Sequence, residues 1–408
     1  MSEEFTKAEW KRINAALDAD PERYGLPERR SRSVVLASFN IRKLGNPEKK
    51  TNGAFDFLAR FCAQCDLIAV QEVLEDMSAL ERLRGETSAK AGAEFRILVS
   101  DITGGRDGAT GSTVERLAFL YREGRVVPTG IASDISFDRS YIYKTLWDNR
   151  KELLGTFKSY EKARTKAEAD GKRKPVFVSP HFVDFIRTPH IASFEIPTGR
   201  TKEPYRFSAV NAHLLFGDAS KQAEERRREF DALCDWLLIR AAKRKSYNQD
   251  FILMGDLNLD FDDPSTDRGS IVDGLKEMNA KLKKKKAATV VNFPFLDDRK
   301  SPRTGEMETI RTNARMNQTF DQIGIFAHDD RLPSWEDNPI VSGNRRKDDY
   351  DYQVFDFTNL FAEVIRKKPI PDLKKLSKAE RKEWSKFIDR FQHDVSDHMP
   401  IWVRLRRT

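Results

Sequence analysis

Cysteine is nearly absent from this chain of 408 residues: only Cys62, Cys65 and Cys234 occur. So small and odd a set excludes a disulfide framework and points to a reducing compartment. Long apolar runs are missing as well. No stretch approaches the roughly 18 consecutive apolar residues that a membrane span requires. Met1 to Tyr24 carries charge throughout, without the apolar segment of a secretory leader. These absences lead us to expect a cytoplasmic protein with no membrane span. Internal repeats and clean linkers are lacking too, so one elaborated domain over 33–408 is expected, preceded by a helix and linker over 1–32.

Charge, by contrast, is abundant. Lys and Arg number 72 against 64 Asp and Glu, a net charge of +8, and charged residues make up 33% of the chain. A basic balance favours polyanionic partners such as nucleic acid or anionic headgroups. Clusters such as Arg226-Arg-Arg228 and Lys281 to Lys286 contribute to it. Their ordinary reading is a solvated helix face or loop.

Several apolar, β-rich runs end in polar residues. Ser33 to Asn40 is one, and Asp66 to Glu72 is a second. Phe207 to His213 and Asp250 to Asp256 repeat the pattern, while Leu117 to Tyr121, Ile191 to Ile196 and Met399 to Leu405 read as further strands. Helices are expected near Lys7–Asp18 and Phe55–Cys65, and Ser377-Lys-Ala-Glu380 is a capping signal for another. Layered α/β proteins place ligand sites at the ends of their core strands. Three basic or polar stretches read as insertions, near 143–174, 267–315 and 367–392. Cys62-Ala-Gln-Cys65 closes a predicted helix with no second Cys or His pair, so we read it as ordinary buried cysteine rather than a zinc site.

Hydrolysis of a phosphodiester needs oxygen ligands for Mg²⁺, a group that activates or orients water, and donors around the phosphoryl oxygens. The chain offers these in separated motifs: Asn40 in Phe-Asn-Ile-Arg-Lys-Leu-Gly45, Glu72 in Val-Gln-Glu-Val73, and His213 in Asn-Ala-His-Leu214. Asp256 and Asn258 lie in Gly-Asp-Leu-Asn258, and Asp397 and His398 in Ser-Asp-His-Met-Pro400. Taken singly, Gly-Asp-x-Asn is a common turn and a histidine at a strand end is usually a satisfied core residue. The ordered set resembles the endonuclease/exonuclease/phosphatase superfamily. Glu115-Arg-Leu-Ala-Phe-Leu-Tyr-Arg122, Phe185-Ile-Arg-Thr-Pro189 and Val354-Phe-Asp-Phe357 are similar to elements of its DNase I-like branch.

That resemblance implies a four-layer α/β/β/α sandwich of two packed mixed β-sheets flanked by helices. It implies Glu72 as the main metal ligand, with Asn40 and Asp397 nearby, and Mg²⁺ or Mn²⁺ as the cofactor. Asp256 would orient or deprotonate water and Asn258 would help hold the phosphate. His213 and His398 would bracket the phosphate, supported by Glu115 and Asp321, with Arg187 on a phosphate oxygen. The implied activity is a metal-dependent phosphodiesterase, an intracellular deoxyribonuclease leaving 5′-phosphate and 3′-hydroxyl ends, with DNA as partner. The basic stretch 143–174 is expected to follow the nucleic-acid backbone. Alternatives on the same scaffold are an inositol-phosphate or phospholipid phosphoesterase, an abasic-site endonuclease, a ribonuclease, or a catalytically silent binding protein. Two departures from the branch stand out: Leu74 replaces a groove-reading arginine, and the paired cysteines and calcium sites of secreted members have no counterpart.

Overall fold

The computed structural model describes residues 4–104, 114–135, 144, 146–172, 174–175, 185–198, 203–216, 220–242, 247–259, 264–284, 289–296, 298–327 and 352–406. Fourteen strands are described: β1 (Ser33–Leu44), β2 (Leu67–Val73), β3 (Phe95–Val99), β4 (Arg116–Arg122), β5 (Val127–Asp134), β6 (His190–Ile196), β7 (Tyr205–His213), β8 (Phe251–Asp256), β9 (Val290–Asn292), β10 (Asp298–Lys300), β11 (Met307–Thr309), β12 (Asp321–Ala327), β13 (Tyr352–Val354) and β14 (Ile401–Arg406). The helices are α1 (Lys7–Ala19), α2 (Asn52–Cys62), α3 (Ser78–Ala91), α4 (Arg150–Ala169), α5 (Ser220–Ala241), α6 (Pro264–Lys284), α7 (Phe357–Arg366) and α8 (Lys378–Asp394).

Two six-stranded mixed sheets carry the fold, in the orders β13-β14-β1-β2-β4-β3 and β5-β6-β7-β8-β12-β9, while β10 and β11 form a separate hairpin. They pack face to face, with Phe39, Phe119, Phe194, Phe207 and Met254 in one shared core. Helices α1, α2, α7 and α8 cover the first sheet, and α5 and α6 cover the second. Burial on both faces explains why β1 and β8 read as unbroken apolar runs and not as alternating ones.

Each sheet contains one parallel pair, β1 with β2 and β7 with β8, and every other pairing is antiparallel. A parallel pair delivers both carboxyl ends to the same edge. Asn40 and Glu72 therefore arrive together in one sheet, and His213 and Asp256 in the other. Gly255 makes the second junction possible. A Cβ built there would lie 1.8 Å from the carbonyl oxygen of Ala212 on β7, so no other residue fits between the strands.

Three segments are more integrated than the sequence suggests. Helix α1, expected ahead of the domain, buries Trp10, Ile13 and Leu17 in the common core. Within 367–392, α8 opens with the expected Ser377–Glu380 capping box, but it also buries Trp384, Phe387, Ile388 and Phe391. Its apolar residues recur at helical spacing among so many charges that the stripe is easily overlooked. Within 267–315, α6 buries Ile271 and Leu282, and Asn279 bonds both the N–H and the C=O of Val291 on the edge strand β9. Only α4, within 143–174, buries no residue at all. Cys62, Cys65 and Cys234 are free and buried, as an ordinary core position requires.

Gly255→Ala is expected to lower the unfolding free energy by more than about 3 kcal/mol, because it overpacks a junction with no free volume. Gly269→Ala on α6, where an added Cβ meets nothing within 4 Å, should be neutral or stabilise by up to ~1 kcal/mol. Chemical denaturation of both variants checks this, and a Gly255→Ala protein as stable as wild type would refute the steric argument.

Candidate active site

Strand register assembles the site. His213 on β7 pairs with Asp256 on β8, and Asp256 pairs in turn with Asp321 on β12, so the three stand abreast across one sheet. Across the gap, the Asn40 side chain of the first sheet reaches over to Asp256. Its Nδ2 donates to Asp256 Oδ2 at 3.0 Å and to Glu72 Oε1 at 3.2 Å. Asp256 Oδ2 is thus a hub: His213 Nε2 lies 3.4 Å from it and His398 Nε2 3.5 Å. Its other oxygen accepts from the Asn258 N–H at 3.2 Å.

Each histidine is held from behind by a carboxylate. His213 Nδ1 is 2.6 Å from Glu115 Oε1, and His398 Nδ1 is 2.9 Å from Asp321 Oδ2. This fixes the ring so that Nε2 faces Asp256 in both cases. Burial works to lower the pKa of both rings. For His213, Arg187 adds to that lowering, yet Glu115 and Asp256 outweigh the two and the net shift is upward. For His398, Asp321 and Asp256, with help from Asp397, carry the pKa well above its ordinary value. Asp256 answers in the opposite sense. Burial would raise its pKa, but the two histidines and the bonds from Asn40 and Asn258 hold it below the usual carboxylate value. Burial dominates at Asp321 and raises its pKa. A carboxylate between two imidazoles that favour their charged form is the electrostatic signature of the centre.

Arg187, expected on phosphate, has its Nε 3.1 Å from Glu115 Oε1 and is 8% exposed. In this structure it backs the Glu115–His213 pair. Asn258 is likewise turned inward, its Nδ2 donating to the Leu214 carbonyl at 3.2 Å. Three of the five non-glycine residues with positive φ among the described residues lie here: Lys43, Glu72 and Asn258, with φ of 49°, 58° and 50°. Left-handed conformations of this kind in non-glycine residues cost on the order of 1 kcal/mol or more each and cluster at functional sites.

Glu72, Asn40 and Asp397 suit a hard divalent cation. Asn40 Oδ1 and Asp397 Oδ1 are buried without a hydrogen-bond partner, and Glu72 is half-buried with Oε2 accepting from the Lys43 N–H at 3.0 Å. All three offer oxygen, the donor that Mg²⁺ and Mn²⁺ prefer. Among the described residues Asp256, Asp321 and His398 also lie close enough to share an ion. That group mixes a nitrogen with its carboxylates, whereas a hard cation prefers oxygen throughout. The all-oxygen set is the better fit.

Two sheets that converge carboxylates, an amide and paired histidines on one edge define a phosphoester-hydrolase scaffold. A profile of the Endonuclease/Exonuclease/phosphatase family matches residues 37–317, and the chain belongs to that family of phosphoester hydrolases. It is 26% identical over 230 residues to deoxyribonuclease-1 of Oryctolagus cuniculus, covering 56% of this chain and 62% of that protein. It is 22% identical over 231 residues to deoxyribonuclease gamma of Rattus norvegicus, covering 55% and 56%. The chain thus spans about three fifths of the length of these relatives. A solved family protein from Bacteroides thetaiotaomicron aligns with 91% of this chain and 94% of its own, at 13% identity and a TM-score of 0.42.

Several supporting residues escape sequence reasoning. Ser396, buried, donates to the Asn40 carbonyl at 2.7 Å and accepts from the N–H groups of Arg42 and His398 at 3.2 Å each, tying β1 to the histidine loop. Lys50 donates to the Val395 carbonyl at 2.9 Å, and the Asp394 carboxylate accepts from the Thr51 N–H and hydroxyl at 2.8 and 2.7 Å. Burial lowers the Lys50 pKa to about 8 against the pull of Asp394, Asp397 and Glu72. A lysine inside Lys49-Lys-Thr-Asn52 carries no sequence mark of burial. Gln71 and Asn211 do carry one, as polar residues inside apolar strands. They bond each other at 2.7 Å and join the two sheets beneath the site.

Ser396→Ala and Lys50→Met are expected to lower turnover roughly 10- to 100-fold while unfolding stays cooperative; wild-type turnover in either variant would show that the loop holds itself. The His398 ion pairs should also make stability depend on pH. A raised folded-state pKa means that their contribution is fully present below about 6.5 and is lost as pH rises through the folded value. The melting-temperature advantage of wild type over His398→Asn, in metal-free buffer, should be largest just below neutrality and shrink on the alkaline side.

Proposed function

We propose that the protein is a divalent-metal-dependent phosphodiesterase acting on nucleic acid, and specifically a deoxyribonuclease. The observation that carries the reading is the Asp256 carboxylate set between His213 and His398 and bonded to Asn40 of the facing sheet. DNA as substrate draws support from the sequence similarity to two deoxyribonucleases over some 230 residues and from the net charge of +8.

Asp256 orients the attacking water and takes its proton as the new P–O bond forms. The P–O bond to the 3′-oxygen breaks in line, and that oxygen leaves as a 3′-hydroxyl, with the phosphate remaining on the 5′ side. His213, held by Glu115 with its Nε2 beside Asp256, gives the leaving oxygen its proton. His398, on the facing loop and held by Asp321, supports the charge that builds on the phosphoryl oxygens. Glu115 and Asp321 hold the two rings in the tautomer this requires. Asn40, Glu72 and Asp397 would hold Mg²⁺ or Mn²⁺, which when bound supplies Lewis-acid polarisation of a phosphoryl oxygen. Leu74, where the DNase I-like branch carries a groove-reading arginine, packs against Gly45, so this position adds no base reading. Without that contact, cleavage should show little sequence preference.

The test is a gel assay on supercoiled plasmid, linear duplex, single-stranded DNA and RNA with Mg²⁺, Mn²⁺ or EDTA. Metal-dependent cutting of DNA that falls at least 100-fold in His213→Ala and in Asp256→Asn is expected. Cutting of RNA alone, or turnover confined to inositol phosphates or phospholipid headgroups, would overturn the substrate assignment.

A further inference from the structure

Helix α4 is rooted at the catalytic edge of the second sheet. His213 closes β7, and β6 runs antiparallel to it, so His190 at the start of β6 lies at the same edge beside Asn211. Strand β5 runs antiparallel to β6, which brings its last residue, Asp134, opposite His190. The chain therefore leaves the sheet at Asp134 and returns at His190 on the edge that carries His213 and Asp256. The Ile135 N–H donates to the Pro189 carbonyl at 3.1 Å and pinches that root shut. Arg187, in the returning limb, contacts Glu115 of the site itself. The arm of chain between these two points carries α4.

The exposed face of that arm is patterned. Lys151, Lys158, Lys162 and Lys166 are all exposed, and their spacing of seven, four and four residues places them on one side of α4. Leu153, Phe157 and Tyr160 occupy the opposite side, with the two rings 6.0 Å apart. At 1.5 Å of rise per residue the lysines follow one another in steps of roughly 6–10 Å along the axis. None of the four forms an ion pair among the described residues, whereas α3 pairs Arg82 with Glu86 and Arg84 with Glu81. Lys158 with Lys162, and Lys162 with Lys166, are like charges at i,i+4, which weaken a helix by a few tenths of a kcal/mol each. A face that served only solubility would alternate its signs. Just ahead of the helix, Trp147 is 68% exposed with the Arg150 guanidinium 4.5 Å from its ring centroid, an aromatic surface on which a base can stack.

We infer that the lysine stripe of α4 is a track for the phosphate backbone of the nucleic-acid substrate, extending contact beyond the phosphate being cut. This deepens the proposed function and rests on it. The stripe supplies uniform attraction without base recognition, so it raises affinity for long substrates of any sequence and leaves the chemical step untouched.

The experiment compares wild type with the quadruple variant Lys151→Gln, Lys158→Gln, Lys162→Gln, Lys166→Gln, glutamine being as good a helix former as lysine. Binding of a labelled DNA duplex longer than the helix is followed by fluorescence anisotropy in EDTA, where nothing is cut, between 50 and 200 mM salt. Four phosphate contacts contribute a slope of about −3.6 in log affinity against log salt, so wild type should lose roughly 100-fold more affinity across that range than the variant. Turnover of bis(4-nitrophenyl) phosphate, too small to reach the arm, should be equal in the two proteins and reports that the variant is folded. Equal salt slopes would overturn the inference, as would stripe-dependent binding to phosphatidylglycerol vesicles with none to duplex. Wild type that binds duplex through the stripe but cuts no nucleic acid would leave the track standing and remove the nuclease reading instead.

Discussion

One buried carboxylate organises this molecule. Asp256 Oδ2 takes the amide of Asn40 from the facing sheet and lies between the Nε2 atoms of two histidines, one beside it in the same sheet and one on the loop before β14. A charge withdrawn from water is tolerated only when donors surround it, and here they come from three separate stretches of chain. The packing of the two sheets, the lie of the histidine loop and the depressed pKa of Asp256 are therefore one fact seen from three sides. The same arrangement raises the pKa of both histidines, so the site holds a carboxylate anion between potential proton donors.

Around this hub the protein builds in shells. Glu115 and Asp321 hold the rings, and Arg187 backs Glu115. Ser396, Lys50 and the Thr51–Asp394 pair fix the loop that carries Asp397 and His398. The oxygen atoms left without partners, on Asn40 and Asp397, are of the kind that a hard cation would suit. Strain at Lys43, Glu72 and Asn258 fits the same picture, since a scaffold this heavily cross-linked can hold residues in conformations they would otherwise avoid. Family membership follows from a match over 37–317, and substrate specificity is a question for residues outside the hub, such as Leu74 and the four lysines of α4.

Much of the design is legible in the chain alone. Apolar runs ending in Asn40, Glu72, His213 and Asp256 announce strands that deliver polar groups to one edge, because side chains buried on both faces leave no alternation to read. The Ser377–Glu380 box marks a helix start through purely local hydrogen bonding. What local pattern conveys poorly is burial earned at a distance. The aromatic stripe of α8 is spread among lysines and glutamates, and Lys50 looks like any other surface lysine.

The sequence by itself determined which residues are candidates for the chemistry and in what order they come, since residue type and strand-end position are local properties. Only the tertiary structure decided how they meet. The parallel pairing in each sheet, the register that sets His213, Asp256 and Asp321 abreast, and the turn of Arg187 onto Glu115 all depend on contacts between segments tens of residues apart. Such contacts form where two complementary surfaces exclude water together, and neither surface alone records its partner.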